Sequence, residues 1–179
     1  MSKKLAIFTF IAIFFSAPLS AFAQSNVLII DIERVFVNSM AGKSMMEQLK
    51  KKGGDLKSKR DKAQTDLTAE AKKLESQRTL LDPTALQSKA DELRLKEIAT
   101  NQELQQDARQ VEAGRQAAQS EILTALSPIL KEIMVEKKAV AVFNRTSVLI
   151  GSPDVDITDI AVKRLDGKLK SVKVQAPKK

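Results

Sequence analysis

The feature that most constrains the fold is a long charged segment, from about Gly42 to Lys138, in which apolar residues recur at helical spacing. Two series repeat every seven residues, and a step of four joins them: Leu49, Leu56 and Ala63, then Leu67, Leu74 and Leu81. Such a repeat places apolar side chains on one stripe of an α-helix. The segment is therefore predicted to be helical and to bury one face.

The pattern is interrupted at Asp82-Pro83. Proline disfavours a helical residue before it but fits the first turn of a new helix, which Asp82 can cap. After the interruption apolar residues continue at helical spacing, with Arg115 at an expected apolar position: Leu86, Leu93, Leu104, Ala108, Val111, Ala118, Ile122, Ala125 and Ile129. Two long helices joined by so few residues must lie antiparallel. The segment is predicted to form a hairpin with arms of about 55 and 80 Å.

Two irregularities fall inside the predicted helices. Gly53-Gly54 should weaken the first helix by roughly 1 kcal/mol per glycine relative to alanine. A functional hinge and a tolerated irregularity are both consistent with this pair. Pro128 should kink the second helix or break its hydrogen-bond ladder. We expect Pro128 near the junction between the projecting hairpin and a compact body.

The flanks of the hairpin predict that body. Val27–Ile30 resembles a buried strand, and Glu33–Val37 suits a turn into a helix. Ala139–Phe143 and Ser147–Ile150 are predicted to form a β-hairpin, and Asp156–Asp159 a helix start. The fold class is α+β, mainly α. Its predicted divisions are body 24–42, hairpin arm 43–128 with its tip near 80–84, body 129–167, and a basic tail 168–179 that frays.

Residues 1–23 have the pattern of a cleavable signal peptide. Lys3 and Lys4 precede the apolar run Leu5–Phe15, and a small-x-small motif follows, with cleavage predicted between Ala23 and Gln24. This almost wholly apolar run of eleven residues spans only about 16 Å as a helix, too short for a bilayer core of roughly 30 Å. We expect an exported, soluble mature protein.

Composition excludes several classes of site. The chain has no cysteine and no histidine, which removes disulfides, the usual zinc ligands, a cysteine nucleophile and an imidazole base. A Ser–Lys or paired-carboxylate enzyme stays open, but no residue spacing indicates one. We therefore predict no enzyme and no catalytic, cofactor-binding or metal-binding residue. Few aromatics remain after the signal peptide, which argues against a specific nucleic-acid partner despite the pI of about 9.7.

The two arms differ in charge. Lys43 to Leu80 holds eleven basic and six acidic residues, whereas Ala85 to Lys138 holds eight and nine. A basic arm attracts acidic clients or anionic lipid surfaces over about a Debye length. For any single lysine, a solvated helix face is the simpler interpretation. A small body with open sheet edges also predicts self-association.

The order of elements resembles the Skp/OmpH family of periplasmic chaperones over nearly the whole mature chain. The resemblance rests on the first strand, the long charged hairpin, the Ala139 to Ile150 segment, and Asp156-Ile157-Thr158 followed by Val162-Lys163-Arg164-Leu165. It implies a homotrimer with a β-barrel-like core and three projecting helical arms. It also implies periplasmic, ATP-independent and cofactor-free holding of unfolded outer-membrane proteins between the arms. The basic residues of a lipopolysaccharide patch cannot be matched here.

Client contacts are expected at basic and aliphatic residues of the arm: Lys57, Lys59, Arg60, Lys72, Lys73, Arg78, Leu80, Leu81 and Leu86. Leu95, off the stripe, should also be partly exposed. Met40, Met45 and Met46 fit core packing better than client contact. The serious alternative is a structural coiled-coil adaptor of the cell envelope that has a fixed partner and no chaperone activity.

Overall fold

The structure, a computed structural model, describes residues 26–177. The predicted signal peptide, with its cleavage site between Ala23 and Gln24, lies outside the described residues. The elements in chain order are β1 (Asn26–Ile30), α1 (Ile32–Asn38), α2 (Met40–Ser76), α3 (Pro83–Glu136), β2 (Ala139–Asn144) and α4 (Thr158–Lys168). Two short 3-10 turns, Arg145–Ser147 and Pro153–Val155, lie between β2 and α4.

Helices α2 and α3 form the predicted antiparallel hairpin. Lys59 pairs with Glu103, and further along α2 Glu70 pairs with the earlier residue Lys96, so the two helices run in opposite directions. With 37 and 54 residues, they are about 56 and 81 Å long. The Asp82 cap is present: its carboxylate accepts from the Thr84 and Ala85 amides at 3.0 Å each.

Helix α2 is continuous through Gly53-Gly54, and α3 is continuous through Pro128. Proline has no backbone N–H, so the ladder lacks one bond at Pro128 as expected, but the residues on both sides stay helical. Leu126 and Ile129, on either side of the proline, are both buried in the body core, so packing holds the helix where its hydrogen-bond ladder is weakened. Burial in α3 begins much earlier than Pro128, and follows a step of three or four: Gly114, Ala118, Ile122, Leu126, Ile129 and Ile133.

The predicted β-hairpin of 139–150 is wrong. β2 pairs with β1 in parallel, from Asn26↔Ala139 to Ile30↔Asn144, and Ser147–Ile150 forms no strand. Parallel strands need a long crossover, and the helical hairpin supplies it. Arg145–Ser147, directly after β2, form a 3-10 turn and contain no glycine for a tight turn. Leu149 and Ile150, beyond this turn, are 99% and 88% exposed.

The core lies where α1 and α4 pack on the body end of the hairpin. Buried apolar side chains from every helix contribute to it, including Val35, Met45, Ile122, Ile133 and Leu165. The buried Thr158 hydroxyl accepts the Asp31 amide at 2.9 Å and so joins α4 to the end of β1. At the bend between α1 and α2, the buried Ser39 hydroxyl accepts the Gly42 amide at 3.1 Å.

The C-terminal segment does not fray over the residues described. Val172 and Val174 are 4% and 3% exposed and belong to the core cluster. The Gln48 side chain of α2 hydrogen-bonds the backbone of both valines, while Gly114 of α3 lies directly beneath residues 174 and 175. Residues 169–177 therefore form a strap across the base of the arm.

The glycines of the hairpin give a test of this packing. A Cβ at Gly53 or Gly54 would meet nothing within 4 Å, whereas one at Gly114 would lie 2.8 Å from the Gln175 backbone nitrogen. We predict that Gly53→Ala and Gly54→Ala each raise the free energy of unfolding by up to about 1 kcal/mol, from helix propensity. Gly114→Ala should lower it, because the strap must move. Urea unfolding followed by circular dichroism measures all three; equal stabilisation by all three would contradict the strap.

Candidate functional site

The seam between the two helices of the arm is never fully buried. Between residues 46 and 113, all of which the structure describes, every residue is half-buried or exposed. Within this range the predicted stripe forms one face except at Ala108, which is exposed. Its other members are half-buried: Leu49, Leu56, Ala63, Leu67, Leu74, Leu81, Leu86, Leu93, Leu104 and Val111. A partly wet aliphatic seam retains apolar surface that further contacts can bury.

The three predicted apolar residues of the tip differ in exposure. Leu80 is 81% exposed, whereas Leu81 and Leu86 are half-buried in the seam. Leu95, on the outer side of α3, is 62% exposed, and Ile98 one turn later is also exposed. The arm thus carries isolated aliphatic side chains among charged ones, and this is an adaptable surface without a shaped pocket.

Most of the predicted basic residues project into solvent. Lys57, Arg60, Lys72 and Lys73 are exposed, and Arg78, just past the end of α2, pairs with Glu75 of that helix at 3.4 Å. They form no cluster with a bound-ligand geometry. They are placed along the length of α2, so the positive charge is spread over the arm.

Lys59 differs from the other predicted basic residues. Its ammonium contacts Asp107 at 2.6 Å and Glu103 at 2.7 Å, both on α3. These hydrogen bonds raise the pKa of Lys59 above its ordinary value. The residue therefore joins the two helices of the arm, a structural role that a sequence without long-range contacts could not indicate.

The three methionines near the arm's base do not share one environment. Met45 is fully buried in the core, as the core-packing interpretation predicts. Met40 and Met46 are about half exposed, and the Met40 amide donates to Asp166 of α4 at 2.7 Å. Only Met45 is explained by core packing.

A row of three cavities, called the groove below, follows the seam and was not predicted. At the body end it is lined by Leu56, Lys59 and Val111 together with Val174–Ala176 of the strap. Lys59 also lines its next section, and Lys96 lines both that section and the one near the tip. The alternation Val172-Lys173-Val174 was the available signal, since alternate apolar residues indicate a half-buried extended segment.

The outer edge of β2 is an apolar surface of the body. β1 is covered on its far side by the segment before α4, where the Ile157 amide donates to the Ile29 carbonyl at 2.9 Å. β2 has only β1 as a neighbouring strand within residues 26–177. Val140 and Phe143 on β2, with Leu149 and Ile150 beyond it, are exposed, and these four residues are called the body edge below.

A network of ion pairs joins α4 and the segment before it to α1 and α3. Arg34 of α1 contacts Asp156 at 3.3 Å and Asp159 at 2.8 Å. Arg164 of α4 contacts Glu136 of α3 at 2.5 Å, which lowers the pKa of Glu136.

Among the described residues, no group of three or more acidic side chains is arranged to hold a metal ion. Nor is any helix there sufficiently long and apolar to cross a membrane.

Asp156 gives a pH test of the network. Burial raises the pKa of Asp156, but hydrogen bonds from Thr158 and the charges of Arg34 and Arg145 outweigh burial and leave it lowered. Its ionised form therefore stabilises the fold above the unfolded pKa of about 3.9, and this stability is lost as pH falls through the lower folded value. We predict that Asp156→Asn flattens the fall in unfolding free energy between about pH 5 and 3 in urea titrations. An unchanged slope would contradict this role.

Comparison with known proteins identifies the family. A model of the family described as Outer membrane protein (OmpH-like) matches residues 26–165. Six chains of solved structures match significantly. One is a crystal structure of a candidate outer membrane chaperone (OmpH-like) from Caulobacter crescentus CB15, with 26% identity, a TM-score of 0.78, and coverage of 87% of this chain and 92% of that one. A search of curated proteins found no significant match. The chain belongs to the OmpH-like family.

Proposed function

We propose that this protein is an ATP-independent holdase that binds unfolded outer-membrane proteins along its helical arm and prevents their aggregation. The observation that carries the proposal is the seam between residues 46 and 113, along which no side chain is fully buried. The match to a structure described as a candidate outer membrane chaperone supports the same role. Family membership also favours a binding protein over an enzyme.

The arm suits an unfolded chain because it offers many weak contacts that do not require a particular client sequence. Half-buried leucines contribute about 25 cal/mol for each Å² of apolar surface that a client covers. Exposed Leu80 and Leu95 add isolated anchors. The basic residues of α2 attract acidic segments, and an anionic lipid or lipopolysaccharide surface would be attracted in the same way. Release then needs only that the client fold or find a better partner.

The signal-peptide pattern of residues 1–23 supports a location in the periplasm. No nucleotide is expected there, so capture has to rest on binding alone. The structural alternative is a coiled-coil adaptor with one fixed partner. Such an adaptor would show no preference for unfolded over folded outer-membrane proteins.

We also propose that the protein is a homotrimer that assembles through the body edge. An apolar edge strand with an open hydrogen-bonding side promotes pairing with another chain. Leu149 and Ile150 follow that strand in the chain and are almost fully exposed. Assembly of three bodies would cover these residues and place three arms around one cavity.

The chaperone proposal is tested by diluting a urea-denatured outer-membrane β-barrel protein into buffer with stoichiometric purified chain. We expect light scattering to fall several-fold relative to the barrel protein alone. The arm variant Leu80→Ser/Leu95→Ser, with Lys57→Glu and Lys72→Glu, should lose most of this protection. The matched control changes exposed body lysines, Lys137→Glu and Lys163→Glu, and should keep it. Unchanged scattering with the wild-type chain at every salt concentration would contradict the proposal.

The assembly proposal is tested by mass measurement in solution. Leu149→Asp/Ile150→Asp should shift the wild-type trimer mass toward the monomer, because two charges would be buried in the interface. Leu80→Asp at the arm tip, also a highly exposed leucine, is the control and should leave the mass unchanged. A wild-type chain that is already monomeric, or a body-edge variant that stays trimeric, would overturn the assignment of this surface.

A further inference from the structure

The strap is held by a side chain that imitates a neighbouring β-strand. The Gln48 amide nitrogen donates to the Val172 carbonyl at 2.7 Å, and its oxygen accepts the Val174 amide at 3.1 Å. One donor and one acceptor thus contact the same edge of the strap, as a partner strand would offer them. These bonds go to backbone atoms and therefore do not depend on the strap's sequence.

The fit of the strap depends on alternation and on close approach. Val172 and Val174 point into the base of the arm, while Lys173 between them is exposed. The strap then bends, with the Gln175 amide donating to the Lys173 carbonyl at 3.1 Å. A Cβ on Gly114 would lie 2.9 Å from the Val174 carbonyl carbon. The base of the arm therefore accepts a backbone, with apolar side chains at alternate positions.

The groove continues beyond the strap along the arm. Lys59 and Lys96, which pair with the opposite helix, stand between successive sections. The floor of these sections runs from Leu56 and Val111 to Leu74 and Leu93. Val111 to Leu93 spans about 27 Å of helix, the length of about eight extended residues. Charged side chains of both signs flank this aliphatic floor. An extended segment could therefore place its apolar side chains on the leucines and its polar side chains toward the charged rims and solvent.

We propose that the groove is a binding site for extended polypeptide segments with apolar residues at alternate positions, and that residues 170–176 occupy its body end as an internal competitor. Membrane β-strands have this alternating pattern, over about ten residues. The identity of the natural ligand therefore rests on the proposed function, with unfolded outer-membrane strands as the class. The strap shows by its own contacts how such a segment would be held.

The test detaches the strap by substitution in the full-length chain and adds the strap sequence as a separate peptide. The released variant is Val172→Ser/Val174→Ser, and the probe is a fluorescent peptide with the sequence of residues 170–177, KSVKVQAP. Fluorescence anisotropy should show binding to the released variant at least tenfold tighter than to the wild type. The control Lys170→Ser/Lys173→Ser changes only exposed side chains of the strap. Its strap should stay bound, and it should bind the peptide as weakly as the wild type. A probe with adjacent valines, KSKVVQAP, should bind at least tenfold more weakly.

A second set of variants ties the binding to the groove. Added to the released variant, Gly114→Leu should abolish peptide binding and Gln48→Ala should weaken it, with circular dichroism confirming that each chain is helical. Equal binding of both peptides, or binding that survives Gly114→Leu, would overturn the proposal, and so would absence of binding to a folded released variant. Aggregation assays separate the two ideas: protection without peptide binding refutes only this site, and peptide binding without protection refutes only the holdase.

Discussion

Two helices packed side by side cannot exclude water from their shared seam, and this constraint organises the molecule. Where a third element covers the hairpin, its stripe is fully buried, as at Ala118, Ile122 and Met45. Helices α1 and α4 and the strap supply that cover at the body end. The end of the strap reaches Leu56 and Val111, and beyond them toward the tip nothing among the described residues supplies cover. Past Gly114 toward the tip the same repeat is half-buried or exposed. The same sequence pattern is therefore buried at the base of the hairpin and partly exposed to solvent along the arm.

Polar contacts keep the arm in register where apolar burial is incomplete. Lys59 and Lys96 each reach across to the opposite helix. Such exposed pairs contribute little stability individually, but they fix the pairing of α2 with α3. In the body the corresponding work is done by Arg164 and Lys168 of α4, which pair with acidic residues of α3. A surface held this loosely can rearrange around a client at small cost.

Sequence reasoning succeeded where the signal was local. The heptad spacing identified the seam, and Asp82-Pro83 identified the turn and its cap, since each depends on residues a few positions apart. It failed where partners are distant in the chain. Pairing of β2 with β1 joins residues more than 110 positions apart, such as Asn26 and Ala139. The strap residue Val172 bonds to Gln48, which lies 124 positions earlier in the chain. Lys59 was expected in a client surface for the same reason, because its partners lie on the other helix.

The central claim, that the half-buried seam of the arm holds unfolded chains, is tested most directly by site-specific photo-crosslinking. A photoreactive residue is placed at Leu67 or Leu80 on the arm, or at Lys163 on α4 of the body, and the protein is mixed with an unfolded outer-membrane protein. We predict strong crosslinks from both arm positions, little from the body, and none once the client has folded. Crosslinks confined to Lys163, or equal crosslinking to folded and unfolded client, would contradict the claim.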